Sequence, residues 1–278
     1  MKKFFLLLTL FITITTIILD AKIIGIKNIS EVNKYANNKN TLVIFDIDNT
    51  ILEPDNNDGY GSDQWFSALV KNKTDKGYNT ISAIEMTLPE YFKAHKKIKV
   101  RPVEKNETIK TIEGLQKQEI PVMALTARSF PMINNTFRQF KEMNIDLTKT
   151  SLNNQIITFK KFEFPATYKK GVLFVGNNNK GKLLKTYLST ISFKPSKIIM
   201  IDDKEHHLKK IETVFKGTKT SFIGLRYSFL DSKVKNFVLK TSEISNNIIA
   251  KTKNAVTKTT NNLLTMIKYP FKKKVITT

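Results

Sequence analysis

Continuous apolar runs recur along the chain at the length of buried β-strands. They occupy residues 41–47, 120–125, 172–175, 197–201 and 221–225. Unbroken apolar runs are typical of strands that are covered on both faces of a parallel sheet. Segments with helical periodicity lie between them, at residues 104–118, 131–143, 180–191 and 204–215. The alternation predicts an α/β fold with a doubly wound, Rossmann-like parallel sheet and right-handed crossovers.

The connection between the first two predicted strands is much longer than a crossover helix needs. It contains two helical patterns of its own, at residues 62–73 and 82–96. Pro89 is expected to break the second helix. We therefore predict a mainly helical cap over residues 54–103. It is inserted into a core that is formed by residues 22–53 and 104–240.

The N-terminus has the pattern of an export signal. Lys2 and Lys3 precede an apolar run over residues 4–19, which is followed by Asp20-Ala21-Lys22. A positive segment before an apolar stretch of this length is typical of secretory signals. Residues 1–21 are thus predicted to be a signal peptide or an uncleaved anchor. The protein is expected to be exported, as a periplasmic or secreted protein, or tethered to the inner membrane if the segment is retained.

The C-terminal segment, residues 241–278, is basic and amphipathic. On a helix, its apolar residues fall within one arc of about 140°, and most lysines fall outside that arc. The apolar residues are Ile244, Ile248, Ala255, Val256, Leu263, Met266 and Ile267. Three readings stay open: a helix that packs on the core, a helix that lies on an anionic membrane surface, and a disordered tail.

Charge and composition narrow the range of functions. The chain has 278 residues, a formal net charge of +22 and 41% hydrophobic residues, so it can fold around a core and attracts anionic partners. A phosphorylated substrate or an anionic membrane surface fits this charge. Nucleic acid is not predicted from basicity alone, although it is not excluded. The chain has no cysteine, which excludes disulfides, thiolate catalysis and zinc sites built on cysteine.

Acidic side chains follow two of the predicted strands. Asp46 and Asp48 come directly after the first strand, and Asp202 and Asp203 follow the fourth. The carboxyl ends of parallel strands form the usual ligand site of open α/β sheets. Crowded carboxylates need a cation or a shared proton, and Mg²⁺ prefers such oxygen ligands. A carboxylate can also attack phosphorus and form a covalent aspartyl-phosphate. The alternative explanation is a solvated turn for Asp46 and Asp48, and a helix N-cap role for Asp203.

Four further candidates follow the second and third predicted strands. Thr126, in the sequence ALTAR, has a hydroxyl that could donate to a phosphoryl oxygen. Arg128 could hold an anionic substrate or lie on the surface. Lys180 and Lys182 open a helix, where a cation can neutralise a transferring phosphoryl group. Position along the chain does not by itself decide between the two lysines.

Taken together, these residues resemble the four motifs of the haloacid dehalogenase-like superfamily. The motifs are DxDxT at Asp46, a strand-end threonine at Thr126, a lysine on a helix and a terminal acidic pair. The resemblance covers residues 40–226 without the details of the cap. It is closest to poorly characterised exported bacterial members that have LTAR and IDD motifs.

The resemblance implies a role for each residue. Asp46 attacks the phosphoryl group, and Asp48 protonates the leaving oxygen and then activates water. Thr126 and a lysine, with Lys180 matching the pattern better than Lys182, hold the phosphoryl oxygens. Mg²⁺ is bound by Asp46, by the main-chain carbonyl of Asp48, and by Asp202, with Asp203 binding it directly or orienting its shell.

The predicted function is therefore that of a magnesium-dependent phosphatase, a hydrolase of small phosphomonoesters. One alternative is a catalytically silent protein of the same fold that binds membranes or partner proteins through its basic tail. Another is a phosphatase that acts on nucleic-acid ends.

Overall fold

The computed structural model describes residues 22–239. The predicted export segment and the predicted basic tail lie outside the described residues. The described part is an α/β structure with a central sheet of eight strands and a separate two-stranded ribbon.

The strands, in chain order, are β1 (Lys22–Ile26), β2 (Thr41–Phe45), β3 (Leu52–Pro54), β4 (Val100–Pro102), β5 (Val122–Thr126), β6 (Ile157–Phe159), β7 (Ala166–Lys169), β8 (Val172–Phe174), β9 (Lys197–Asp202) and β10 (Ser221–Tyr227). The central sheet has the order β1-β10-β9-β2-β5-β8-β7-β6. The first six strands in this order, from β1 across to β8, are parallel to one another. Strand β7 runs antiparallel to both of its neighbours, β8 and β6. This topology is compatible with a Rossmann-like fold.

The helices are α1 (Asp63–Thr74), α2 (Thr80–His95), α3 (Lys105–Lys117), α4 (Ile133–Glu142), α5 (Lys180–Thr190), α6 (Glu205–Phe215) and α7 (Asp231–Lys235), with short 3₁₀ helices at Ile29–Lys34 and Phe130–Met132. Strand β2 shows how they cover the sheet. Val43 and Phe45 belong to the apolar cluster under α3 and α4. Leu42 and Ile44 belong to the cluster under α5 and α6 on the opposite face. Both faces are buried, which explains the unbroken apolar run of this strand.

The α/β class and the largely parallel sheet confirm the prediction. The five predicted strands correspond to β2, β5, β8, β9 and β10, and the four predicted core helices correspond to α3 to α6. The sequence pattern missed β1 and the antiparallel strands β6 and β7. These strands lie at the two ends of the sheet. The outermost strands β1 and β6 are only partly buried, and β6 and β7 are only three and four residues long, so none of the three gives a long apolar run.

Residues 55–99 form a helical insertion between the ribbon strands β3 and β4. It contains α1 and α2, which pack on each other around a small apolar cluster that also takes in Met132 of the 3₁₀ helix before α4. The buried members of this cluster are Trp65, Leu69, Tyr91, Ala94, Ile98 and Met132. Trp65 is 4% exposed and its ring meets that of Tyr60 edge-on at 4.9 Å, so this tryptophan is part of the core.

The predicted break at Pro89 is wrong. Helix α2 continues through this residue from Thr80 to His95. Proline removes a single N–H donor from the helix, and burial on both sides of it outweighs that loss. Ala83 lies before Pro89 and Tyr91 after it; both are buried, and the ring of Tyr91 packs on that of Phe66 in α1.

Candidate active site

Two carboxylates meet at the carboxyl ends of neighbouring strands. Asp46 directly follows β2, and Asp202 is the last residue of β9, which pairs with β2 in parallel. The backbone N–H of Asp46 donates to the carbonyl of Ile201 at 2.8 Å, which extends the pairing to this point. Asp46 is 4% exposed and Asp202 is fully buried. Charged groups at such depth are costly unless other groups compensate them.

Lys180 compensates both carboxylates. Its ammonium donates to Asp46 Oδ1 at 2.8 Å and to Asp202 Oδ2 at 2.7 Å. The side chain is itself only 2% exposed. The three groups therefore form a buried, charge-assisted triad in which one cation is shared by two anions.

Local sequence explains why Lys180 points inward. The side chain of Asn179 caps α5 by accepting from the backbone N–H of Lys182 at 3.0 Å. Gly181 lets α5 pack closely on α6, since a Cβ there would lie 2.4 Å from the carbonyl oxygen of Lys210. Lys182, the alternative candidate, is exposed and lines a shallow surface groove on α5. Lys180 is thus the lysine that contacts Asp46.

Asp203 completes an acidic cluster at this edge of the sheet. Its Oδ2 accepts from the side-chain amide of Asn49 at 3.3 Å. Its Oδ1 is buried and has no hydrogen-bond partner among residues 22–239. One oxygen each from Asp46, Asp202 and Asp203 lies within 4.8 Å of the others. Asn49 adopts φ 59°, a left-handed conformation that asparagine tolerates better than most residues.

Burial and neighbouring charges shift the acidity of this cluster. Burial raises the pKa of Asp46 well above its usual value, against the opposing charge of Lys180. Burial also raises the pKa of Asp203, to about 7, with Lys204 opposing it and Asp202 adding to it. Asp202 behaves differently: burial raises its pKa, but the charge of Lys180 and the hydrogen bond with His207 outweigh it and lower the pKa below its ordinary range. The cluster therefore carries more negative charge than its one buried lysine neutralises once Asp203 is ionised.

Ionisation of Asp203 is expected to lower the stability of the metal-free protein, relative to an Asp203→Asn variant, as the pH rises from about 4 to about 7. Asp203 has a raised pKa in the folded state, so folding takes up a proton, and that stabilisation disappears as the pH passes its folded pKa of about 7. The loss is up to about 4 kcal/mol for a shift of this size. Urea denaturation at several pH values measures it, with Asp203→Asn beside the wild type. A variant with the same pH dependence as the wild type would contradict this expectation.

Asp48 and Arg128 form a bidentate ion pair. The Nε and Nη2 atoms of Arg128 donate to Asp48 Oδ2 and Oδ1, both at 2.8 Å. Burial raises the pKa of Asp48, but the charge and hydrogen bonds of Arg128 outweigh it and lower the pKa to about 2. Asp48 is thus an ionised carboxylate. Arg128, predicted as a possible ligand of the substrate, directs these donors to the protein instead.

Thr126 ends β5, the strand next to β2 on the side opposite β9. It is buried, and its hydroxyl oxygen accepts from the backbone N–H of Arg128 at 3.1 Å. The hydroxyl hydrogen remains free to point elsewhere, because a hydroxyl both donates and accepts. Thr126 therefore lies at the same sheet edge as the acidic cluster, as the sequence predicted.

Two contacts of the site had no signal in the sequence. The Nδ1 atom of His207 lies 3.1 Å from Asp202 Oδ2, so this histidine of α6 supports the buried carboxylate. Lys204, just before α6, forms an ion pair with Asp63 at the start of α1. Adjacent histidines and a lysine in a lysine-rich chain look like surface residues, and only the approach of α6 and the helical insertion gives them partners.

Comparison with known proteins identifies the family of the chain. The family model described as "Protein of unknown function (DUF2608)" matches residues 25–265. The chain belongs to the DUF2608 family. The assignment to the haloacid dehalogenase-like superfamily, which was drawn from four short motifs, is therefore wrong: the model that matches nearly the whole chain is that of DUF2608. Short motifs spread over a long chain are weaker evidence of descent than a match of this length.

Several chlamydial proteins are similar to this DUF2608 protein. A "Putative outer membrane protein" of Chlamydia muridarum (strain MoPn / Nigg) is 24% identical over 208 residues, which cover 74% of this chain and 77% of the relative. Two Chlamydia pneumoniae proteins that carry the same description are 27% and 25% identical, over 81% and 68% of this chain and 84% and 70% of their own. Within residues 22–239 of the DUF2608 protein, no helix combines the length and apolar character that crossing a membrane requires.

Proposed function

We propose that this protein is a magnesium-dependent phosphomonoester hydrolase in which Asp46 is the nucleophile. One observation carries the proposal: the ammonium of Lys180 joins Asp46 to Asp202, beside a buried oxygen of Asp203 that has no partner in the described part of the chain. Structural ion pairs are usually complete. This group combines a buried carboxyl group at the end of a central strand, a fixed cation and an unsatisfied acidic oxygen.

The residues present fit a divalent cation with a preference for oxygen. Asp46, Asp202 and Asp203 each offer a carboxylate oxygen within the small common region described above. Mg²⁺ is typically bound by one or two carboxylates together with substrate oxygens and water. When bound, it would neutralise charge on the phosphoryl oxygens. The main-chain carbonyl of Asp48 remains a predicted further ligand.

The remaining chemistry is assigned to side chains of this chain. A carboxylate oxygen of Asp46 attacks phosphorus, the bond to the leaving oxygen breaks, and an aspartyl-phosphate results. Lys180 and the hydroxyl of Thr126 stabilise the phosphoryl oxygens during transfer. Asp48 then takes a proton from the water that attacks phosphorus and releases phosphate from Asp46. The ionised state of Asp48 suits this second role.

The first step places a different demand on Asp48. A leaving alkoxide needs a proton, and Asp48 is held without one by Arg128. Substrates whose leaving oxygen is stable as an anion escape this demand. An aryl phosphate such as p-nitrophenyl phosphate is therefore the best first substrate, because its phenolate leaves without protonation.

The helical insertion is proposed to act as a cap over the site. Lys204, next to the acidic cluster, is paired with Asp63 of α1, and the side-chain amide of Asn49 lies 3.5 Å from Gln64 Oε1 of the same helix. The insertion therefore borders the acidic cluster directly. Its closure would exclude water and favour small substrates. An exported or envelope location is also proposed, from the predicted export segment and the names of the chlamydial relatives.

The experiment that tests the proposal is an assay of phosphate release by the full chain. p-Nitrophenyl phosphate and a panel of phosphomonoesters are incubated with and without Mg²⁺, and with excess chelator. We expect turnover that requires the divalent ion and returns when Mg²⁺ is restored. Folded protein that binds Mg²⁺ and turns over no compound would reject the phosphatase and favour the catalytically silent alternative.

A further inference from the structure

Two residues of α4 accept hydrogen bonds from Arg128. Its Nη1 atom donates to Gln139 Oε1 at 2.7 Å and to Thr136 Oγ1 at 2.9 Å, while the other side of the guanidinium holds Asp48. Arg128 is 4% exposed, and Gln139 and Thr136 are fully buried. The guanidinium therefore has no room to turn while these bonds are in place.

Gln139 extends the contact into the helical insertion. Its Nε2 atom lies 3.4 Å from Nδ1 of His95, and Nε2 of His95 lies 2.9 Å from the carbonyl oxygen of Gly61. His95 is 1% exposed and ends α2. A continuous buried path thus runs from the insertion, through α4, to the carboxylate of Asp48. We call Gly61, His95, Gln139, Arg128 and Asp48 the buried relay.

The direction of every hydrogen bond in the buried relay is fixed by chemistry. The carbonyl of Gly61 can only accept, so the proton of a neutral His95 is on Nε2 and its Nδ1 accepts. Gln139 must then turn its NH₂ toward His95 and its oxygen toward Arg128, whose guanidinium can only donate. Burial, followed by the charge of Arg128, lowers the pKa of His95 to about 4, so the ring is neutral. One arrangement satisfies all members.

We propose that Gln139 and His95 are positioning residues for the reaction. They fix the orientation of the Arg128 guanidinium and, through it, the carboxylate of Asp48. The inference rests on the proposed function, because it gives Asp48 a proton-transfer role. Neither residue reaches the acidic cluster. Each acts through Arg128, whose orientation decides where the two oxygens of Asp48 lie.

The kinetic test compares the same substitution at two buried glutamines. Gln139→Met keeps the approximate size of the side chain but cannot bond to Arg128 or His95. Gln116→Met is the matched control, since Gln116 is 8% exposed and its amide donates to the carbonyl of Asp146 at 2.8 Å, outside the buried relay. We expect Gln139→Met to lower kcat roughly tenfold or more, because small misplacements of a reacting group are costly. KM and the half-saturating Mg²⁺ concentration should change less than twofold.

Gln139→Glu provides a conservative variant, since it keeps an oxygen for Arg128 and should recover part of kcat. Gln116→Met should retain the wild-type kcat. The proposal is overturned if Gln139→Met matches Gln116→Met, or if it changes KM and the Mg²⁺ requirement as much as kcat.

A second measurement does not depend on activity. Coupling between two sites is reciprocal, so if α2 positions Asp48 through the buried relay, we expect disturbing Asp48 to loosen the end of α2 that carries His95. Asp48→Asn is therefore expected to speed hydrogen–deuterium exchange at the C-terminal end of α2 several-fold in the full chain. Asp46→Asn also alters a buried carboxylate at this edge but lies outside the buried relay, and it should leave exchange in α2 unchanged.

Equal exchange in the Asp48→Asn and Asp46→Asn proteins would overturn the buried relay even if the protein is a phosphatase. Faster exchange in Asp48→Asn alone would support it even if no substrate is turned over, in which case only the proposed function fails. The exchange measurement also tests the buried relay if the Gln139→Met protein does not fold.

Discussion

Replacing Asp46 with asparagine is expected to abolish metal-dependent phosphate release, with a loss of at least about 1000-fold in kcat. An amide of nearly identical shape cannot attack phosphorus, so no covalent intermediate forms. The fold should persist, since Lys180 keeps its bond to Asp202 at 2.7 Å. Release of p-nitrophenol at saturating Mg²⁺ measures the effect. Asp75→Asn is the control, because Asp75 forms an exposed pair with Lys71 on the insertion.

The companion variant Asp48→Asn makes the prediction sharper. Without the base that activates water, the phosphoryl group should remain on Asp46 long enough for intact-protein mass spectrometry to detect it. A variant with Asn at position 46 that retains a tenth of the wild-type rate would show that another residue is the nucleophile.

Replacing Lys180 with methionine is expected to cost about 3–5 kcal/mol of unfolding free energy when no divalent ion is present. Asp46 and Asp202 share this one ammonium at 2.8 and 2.7 Å, and both are buried. Removing it leaves two nearby carboxylates without a compensating charge, which is far more costly than losing an exposed pair. Urea denaturation at neutral pH measures the difference.

Mg²⁺ should restore a large part of that loss, because a cation bound among the carboxylates stabilises only the folded state. Lys182→Met is the matched control: it changes the same residue type two positions along the same helix, but on the exposed side, and should alter stability by less than about 0.5 kcal/mol. If both variants lose the same stability, or if Mg²⁺ stabilises them equally, the buried triad does not have the energetic role assigned to it.

The central strands and core helices were predictable from the sequence because the pattern of burial is local. Strand β2 is buried on both faces, so it is apolar at every position after Thr41. Helices α3 to α6 each bury one side against the sheet, so their apolar residues recur with the period of a helix. Strands β1, β6 and β7 lie at or near the sheet edges and carry no comparable signal.

Pro89 shows the limit of a local rule. Proline disfavours a helix interior on its own, yet α2 passes through it because residues on both sides are buried in the insertion. The helix is maintained by tertiary packing, and no window of sequence contains that information.

The sequence by itself determined the α/β class, the residues that end the central strands, and hence the meeting of Asp46, Thr126 and Asp202 at one sheet edge. Parallel strands bring their carboxyl ends together whatever the details of packing. Only the tertiary structure decided between Lys180 and Lys182, turned Arg128 toward Asp48, and joined His95 and Gln139 to the same path. Those outcomes depend on which helix face is buried and on partners as far apart as residues 48 and 128. Such contacts are fixed by three-dimensional packing, and sequence spacing does not specify them.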